Sequence, residues 1–116
     1  MKTLLLLIVV ILLFLTGYSY GSDLLVSPEE AKKKTYDVYL DVRTDAERQA
    51  LGSYPGSLHI PAGDLPEEAS KQLTNKNAHI LVYCNTGQRS RRAAEQLKQL
   101  GYSNVHYIAT SYKNLL

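Results

Sequence analysis

The chain has 116 residues, a formal net charge of +2, one cysteine and three histidines. That length leaves room for one domain, and the small charge gives no argument for a nucleic-acid partner. One cysteine excludes an internal disulfide, and the scattered histidines His59, His79 and His106 have no metal-ligand spacing.

At the N-terminus, Lys2 precedes an unbroken apolar run from Leu4 to Leu15. About a dozen such residues suit the core of a signal peptide and are short for a membrane span. Ser19 and Gly21 put small residues three and one before a cut at Gly21/Ser22. The expected division is 1–21 as signal peptide, or as an uncleaved membrane anchor, and 22–116 as the folded domain. Either way the domain is exported, periplasmic or otherwise extracytoplasmic, because the positive charge stays on the inner side. Membrane contact is expected only through an uncleaved anchor. No cysteine near residue 20 is available for lipid attachment. Without the first stretch about 95 residues remain, enough for a small core.

Asp23 to Val26 reads as a linker. Ser27-Pro28-Glu29-Glu30 is a helix start, with a capping serine, a proline suited to the first helical position and a glutamate placed for a capping box. The helix is expected to reach about Lys34, with Lys32-Lys33-Lys34 as a solvated face. Val38 to Val42 is β-branched and aromatic, and predicts a buried strand. Thr44 to Leu51 reads as a helix stopped by Gly52. Tyr54-Pro55-Gly56 is a turn, Leu58 to Ile60 a short extended piece ended by Pro61, and Pro66 to Leu73 another helix. Ile80 to Tyr83 is the clearest strand, apolar throughout as a strand covered on both faces should be. It ends at Cys84.

The clearest helix follows, with Ala93, Leu97 and Leu100 forming an apolar stripe and Gly101 at its C-terminal end. Val105 to Ile108 is a last strand. Strands alternating with helices predict an α/β fold: a doubly wound parallel sheet with helices on both faces.

Cys84-Asn85-Thr86-Gly87-Gln88-Arg89 joins the buried strand to that helix. Open α/β sheets bind ligands beyond the carboxyl ends of their strands. A loop entering a helix turns several N–H groups toward one point, which favours an anion. A sulfur placed there is biased toward thiolate. Gly87 permits a backbone other residues resist, and Arg89 offers a positive planar fork for an oxyanion. The same residues also allow an inert cysteine ending a core strand, followed by an ordinary turn.

The run Tyr83-Cys84-Asn85-Thr86-Gly87-Gln88-Arg89-Ser90, with Ala93-Ala94 and Leu97, resembles the active-site segment of the rhodanese family. Leu40-Asp41-Val42-Arg43 with Glu47, Gly52 to Pro61, and Gly101 to Val105 resemble three further motifs of that family. Together they span roughly residues 26 to 108 in the family's order. The arrangement is most similar to the small exported single-domain branch, the phage-shock protein E type.

The resemblance implies a sulfurtransferase of the thiosulfate type that needs no cofactor. The Cys84 thiolate would take the outer sulfur of a small donor such as thiosulfate, forming a persulfide. Cyanide or a thiol acceptor would then remove that sulfur. Asn85, Thr86, Gly87, Gln88 and Arg89 would bind substrate and persulfide through the loop. Asp41 and Arg43 would support the loop. The chain departs from the family at Ser53-Tyr54, where His-Ile is usual, at Thr110-Ser111, where a glycine pair is usual, and at Leu115, near a usual tryptophan. The last helix and one wall of the site are therefore expected to be altered or shortened.

Phosphatase or arsenate reductase chemistry on a related fold would need arginine six positions after the cysteine, where Ser90 stands. A thiol-redox protein would normally carry a Cys-x-x-Cys pair, which one cysteine cannot supply. A non-enzymatic module that binds a partner or carries sulfide remains an alternative, favoured by the altered C-terminus and opposed by the intact cysteine loop. Nothing in the residues indicates an oligomeric state.

Overall fold

The computed structural model describes residues 23–116; the expected N-terminal signal or anchor and the expected cut at Gly21/Ser22 lie outside the described residues. The first helix, α1 (Pro28–Lys32), is capped by Ser27, whose hydroxyl accepts from the Glu30 amide at 3.1 Å. It ends before the expected Lys34, because the amides of Lys33 and Lys34 tighten back onto the carbonyls of Glu30 and Ala31. Only Ala31 of this helix is buried, and Lys32, Lys33 and Lys34 are exposed.

Strand β1 (Val38–Asp41) leads into α2 (Asp45–Leu51), then β2 (Leu58–His59), a 3₁₀ turn (Ala62–Asp64) and α3 (Leu65–Gln72). Strand β3 (His79–Tyr83), α4 (Gln88–Gln99), β4 (Asn104–Tyr107) and a closing 3₁₀ turn (Tyr112–Leu115) complete the order. The sheet runs β2-β1-β3-β4 and every pairing is parallel. The winding goes outward from β1 to β2, then crosses back to place β3 on the other side of β1. The reversal leaves a crevice at the carboxyl ends of β1 and β3, where such sheets hold their ligands.

Side chains alternate across the strands and build two cores. On one face Leu40, Ile80, Val82 and Val105 meet Leu65 and Ala69 of α3 and Ala93, Ala94 and Leu97 of α4. On the other, Leu81, Tyr83 and Ile108 meet Ala31 of α1 and Tyr112 and Leu115 of the closing turn. Helical segments therefore cover both faces, as expected. A leucine as fully buried as Leu97 contributes about 1.5–3 kcal/mol. Tyrosine does much of the packing on the second face, with Tyr39 stacked on Tyr54 at 4.4 Å between ring centroids.

Two expectations are corrected. Asp23 to Val26 is no loose linker. The Val26 amide donates to Tyr107 O at 3.0 Å, the Tyr107 amide donates to Leu24 O at 2.9 Å, and Leu25 bridges Tyr107 in parallel. This segment covers the backbone edge that β4 would otherwise leave open. Leu100 does not join the apolar stripe of α4: it is 39% exposed and caps the helix. Gly101, at φ +101°, turns the chain so that the amides of Tyr102 and Gly101 reach Leu97 O and Lys98 O. In that closure the apolar residue that folds back is Tyr102, which is 1% exposed.

The closing segment is a single 3₁₀ turn capped by Ser111, whose hydroxyl accepts from the Lys113 amide at 3.2 Å. Leu115 is buried there. No helix among the described residues is long and apolar enough to cross a membrane.

Candidate active site

Cys84 is carried to the crevice by β3, whose last four residues are all buried, and the cysteine itself is 1% exposed. The chain then turns sharply through Gly87, at φ +101°. A Cβ at that position would lie 2.7 Å from the Ala109 Cα and 2.8 Å from its Cβ, so the residue must be glycine on both counts. The turn aims the Gly87 amide at the Cys84 sulfur, 3.1 Å away. One turn into α4, the Ser90 hydroxyl lies 3.4 Å from the same sulfur and within 3.1 Å of the carbonyls of Gly87 and Ile108.

Burial alone would push the thiol's pKa up. Hydrogen bonding with the Ser90 side chain and from the amides of Ser90, Gly87 and Thr86 outweighs burial, and the thiol is brought below its ordinary value. The site thus favours a thiolate at a helix N-terminus, able to act as a nucleophile.

Below the loop lies a buried ion pair. Asp41 and Arg43 are 0% and 1% exposed. The Arg43 fork meets Asp41 at 3.0 Å through Nε and 2.9 Å through Nη2, and its own amide adds a bond of 2.9 Å. Nη2 also donates to Gly52 O at 2.7 Å, and the guanidinium lies 5.3 Å from the Tyr83 ring centre. Asp41 further accepts from Arg48 Nη1 at 3.0 Å and the Tyr83 hydroxyl at 3.2 Å. Burial would raise the pKa of this carboxyl, but the Arg43 and Arg48 bonds hold it below its usual value. Arg43 Nη1 reaches Asn85 Oδ1 at 3.4 Å, which ties the pair to the loop.

Arg89 differs from expectation. Its fork is not open to an oxyanion but closed on Glu47, with Nη1 2.6 Å from Oε1 and Nη2 2.8 Å from Oε2. Asn85 Nδ2 donates to the same carboxylate at 2.7 Å. The cause is local. Glu47 completes the capping box of α2 with Thr44, and α2 starts directly after β1, so the carboxylate is fixed across the crevice from the loop. The Arg89 bonds draw the Glu47 pKa down to about 2.

Of the other loop residues, Thr86 and Gln88 have exposed side chains; Thr86 bears on the sulfur through its amide. Sequence reasoning took Ser90 and Glu47 only as parts of motifs and missed Arg48 as part of this site. The spacing of Ser90 from Cys84 was the available signal for the first: six residues spanning a turn and one helical turn bring a side chain back over its start. Thr110 Oγ1, past β4, is a buried atom with no hydrogen-bond partner. Among the described residues no group of three or more His, Cys, Asp or Glu is placed to hold a metal ion.

A family model described as the rhodanese-like domain matches residues 27–116. The chain belongs to the rhodanese family. The thiosulfate sulfurtransferase PspE of Escherichia coli (strain K12) is 33% identical over 67 residues, covering 58% of this chain and 64% of PspE. A sulfurtransferase of Allochromatium vinosum is 39% identical over 72 residues, covering 61% of this chain and 64% of that protein. The match also covers 34% of YrkF from Bacillus subtilis, so the chain spans from a third to just under two thirds of these relatives' length. Among solved structures, the human single-domain sulfurtransferase TSTD1 superposes with a TM-score of 0.65 at 25% identity, over 80% of this chain and 95% of that one. Membership of the rhodanese family thus accounts for the fold.

Proposed function

We propose that this rhodanese is a sulfurtransferase that moves sulfane sulfur from a donor such as thiosulfate, through a persulfide on Cys84, to cyanide or a thiol acceptor. The observation that carries the reading is the Gly87 amide 3.1 Å from the Cys84 sulfur, at the crevice where β1 and β3 end. The Cys84 thiolate attacks the outer sulfur of thiosulfate, the S–S bond breaks, and sulfite leaves with the bonding pair. The new terminal sulfur then carries the negative charge. The amides of Thr86, Gly87 and Ser90 and the N-terminal end of α4 face that charge. A nucleophilic acceptor takes the terminal sulfur and returns Cys84 as thiolate. Asp41 and Arg43 position the loop through Asn85.

The same proposal places the domain outside the cytoplasm, released after Gly21 or tethered there. The support for this is Lys2 followed by the apolar run Leu4 to Leu15.

The test is the intact mass of the domain from residue 22, after incubation with thiosulfate. A gain of one sulfur atom is expected, absent in Cys84→Ser and lost with thiocyanate formation when cyanide is added. No gain on a thiol that still reacts with iodoacetamide would overturn the reading for thiosulfate. A second reading, a sulfur-carrying or binding module, is favoured by the single closing 3₁₀ turn and by the sulfur-carrier name of YrkF. It predicts stoichiometric loading of Cys84 without turnover to cyanide.

A further inference from the structure

At this site Glu47 stands where a bound anion would stand. Its carboxylate fills both prongs of the Arg89 fork, at 2.6 and 2.8 Å, and takes a third bond from Asn85 at 2.7 Å. The end-on Nη1/Nη2 fork of Arg89 is thus taken by the chain's own carboxylate. The other two guanidinium groups of the site are also committed: Arg43 to Asp41, and Arg48 to Asp41 and Ser57. An incoming donor therefore meets backbone amides and three guanidinium groups that each already pair with a carboxylate.

Two kinds of donor carry a transferable sulfur. Thiosulfate is a dianion whose oxygen end seeks cationic donors. It must either displace Glu47 from Arg89 or lie beside a carboxylate of like charge. An organic persulfide, R–S–SH, presents its transferable sulfur on a group with at most one charge, and needs no fork.

We propose that Glu47 sets donor choice at this site: by holding Arg89 it disfavours thiosulfate and favours organic persulfides. The inference rests on the sulfurtransferase reading above. In the transfer, the Cys84 thiolate attacks the terminal sulfur, the RS–SH sulfur–sulfur bond breaks, and RS⁻ leaves with the bonding pair. Cys84 is left as Cys–S–SH, and no oxidant or reductant is consumed. Glu47, with its pKa drawn down to about 2, is ionised at neutral pH, so its carboxylate holds the Arg89 fork there.

The experiment compares kcat and KM for thiosulfate and for glutathione persulfide in the wild type and in Glu47→Gln. Glutamine can serve the capping box, so α2 keeps its start. The kcat/KM ratio of thiosulfate to persulfide should rise about tenfold in Glu47→Gln, chiefly through a lower KM for thiosulfate. Adding Arg89→Ala should remove that gain, because the released fork is what binds the dianion. Sulfate should protect Cys84 from iodoacetamide at lower concentration in Glu47→Gln than in the wild type.

Glu47→Asp, which withdraws the charge by one methylene, should shift the ratio the same way by less, and serves if the glutamine variant does not fold. A ratio that is unchanged or lowered, or a gain that survives Arg89→Ala, overturns the inference. If both donors load Cys84 but the ratio stays fixed, only the role of Glu47 falls. If neither donor loads Cys84 in any variant, the sulfurtransferase reading falls with it.

Discussion

The amide nitrogen of Gly87 lies 3.1 Å from the sulfur of Cys84, three residues earlier in the chain. This contact bends the loop back over the end of β3, so that a sulfur only 1% exposed still has donors facing it. Burial and hydrogen bonding oppose each other at the thiol, and hydrogen bonding wins. The rate of alkylation by iodoacetamide should therefore rise with a midpoint below the ordinary 9.0. Ser90→Ala should move that midpoint up. The group's contribution to stability is fully present above 9.0, the unfolded value, and is lost as pH falls through the lower folded value. A midpoint at or above 9.0 in the wild type would remove the case for an activated thiolate.

Gly87→Ala should cost stability and reactivity together. The left-handed backbone at φ +101° and the 2.7 Å approach to Ala109 both resist a methyl group. The strained backbone alone is worth about 1–3 kcal/mol. Urea unfolding should show a lower midpoint with an unchanged slope, and the alkylation midpoint should rise as the amide moves away from the sulfur.

Asp41→Asn should be among the most damaging single changes. It leaves the Arg43 guanidinium, 1% exposed, without its carboxylate. Removing one partner of a buried pair costs about 3–5 kcal/mol. Replacing both residues by apolar ones of similar volume should restore much of that stability, while loosening Asn85 and lowering turnover. Urea melts beside rate measurements separate the two effects.

The acid limb of stability should depend on Glu47. Its carboxyl moves from an ordinary 4.5 to about 2 on folding. Its contribution is therefore fully present above about 4.5 and fades as pH falls toward about 2. Asp41, also lowered, adds in the same direction. Thermal melts between these limits should fall less steeply in Glu47→Gln. The difference should shrink in high salt, because Glu47 and Arg89 are 27% and 37% exposed.

What the sequence determined by itself was local. The cap at Ser27, the apolar run of β3 and the turn at Gly87 depend on neighbours within a few positions, and each was legible as written. The alternation of strands and helices was legible too, and with it the place of Cys84 at a strand end. Only the tertiary structure decided what these pieces meet. The pairing of Leu24 to Val26 with β4 joins segments some 80 residues apart, which no local pattern encodes. The partner of Arg89 lies 42 residues away in the chain. Its charge was readable, but not whether that charge was free. That depends on the parallel register of β1 and β3, Leu40 beside Val82 and Asp41 beside Tyr83, which brings the start of α2 and the Cys84 loop to the same end of the sheet. A charge is a property of one residue; whether it is already neutralised is a property of the fold.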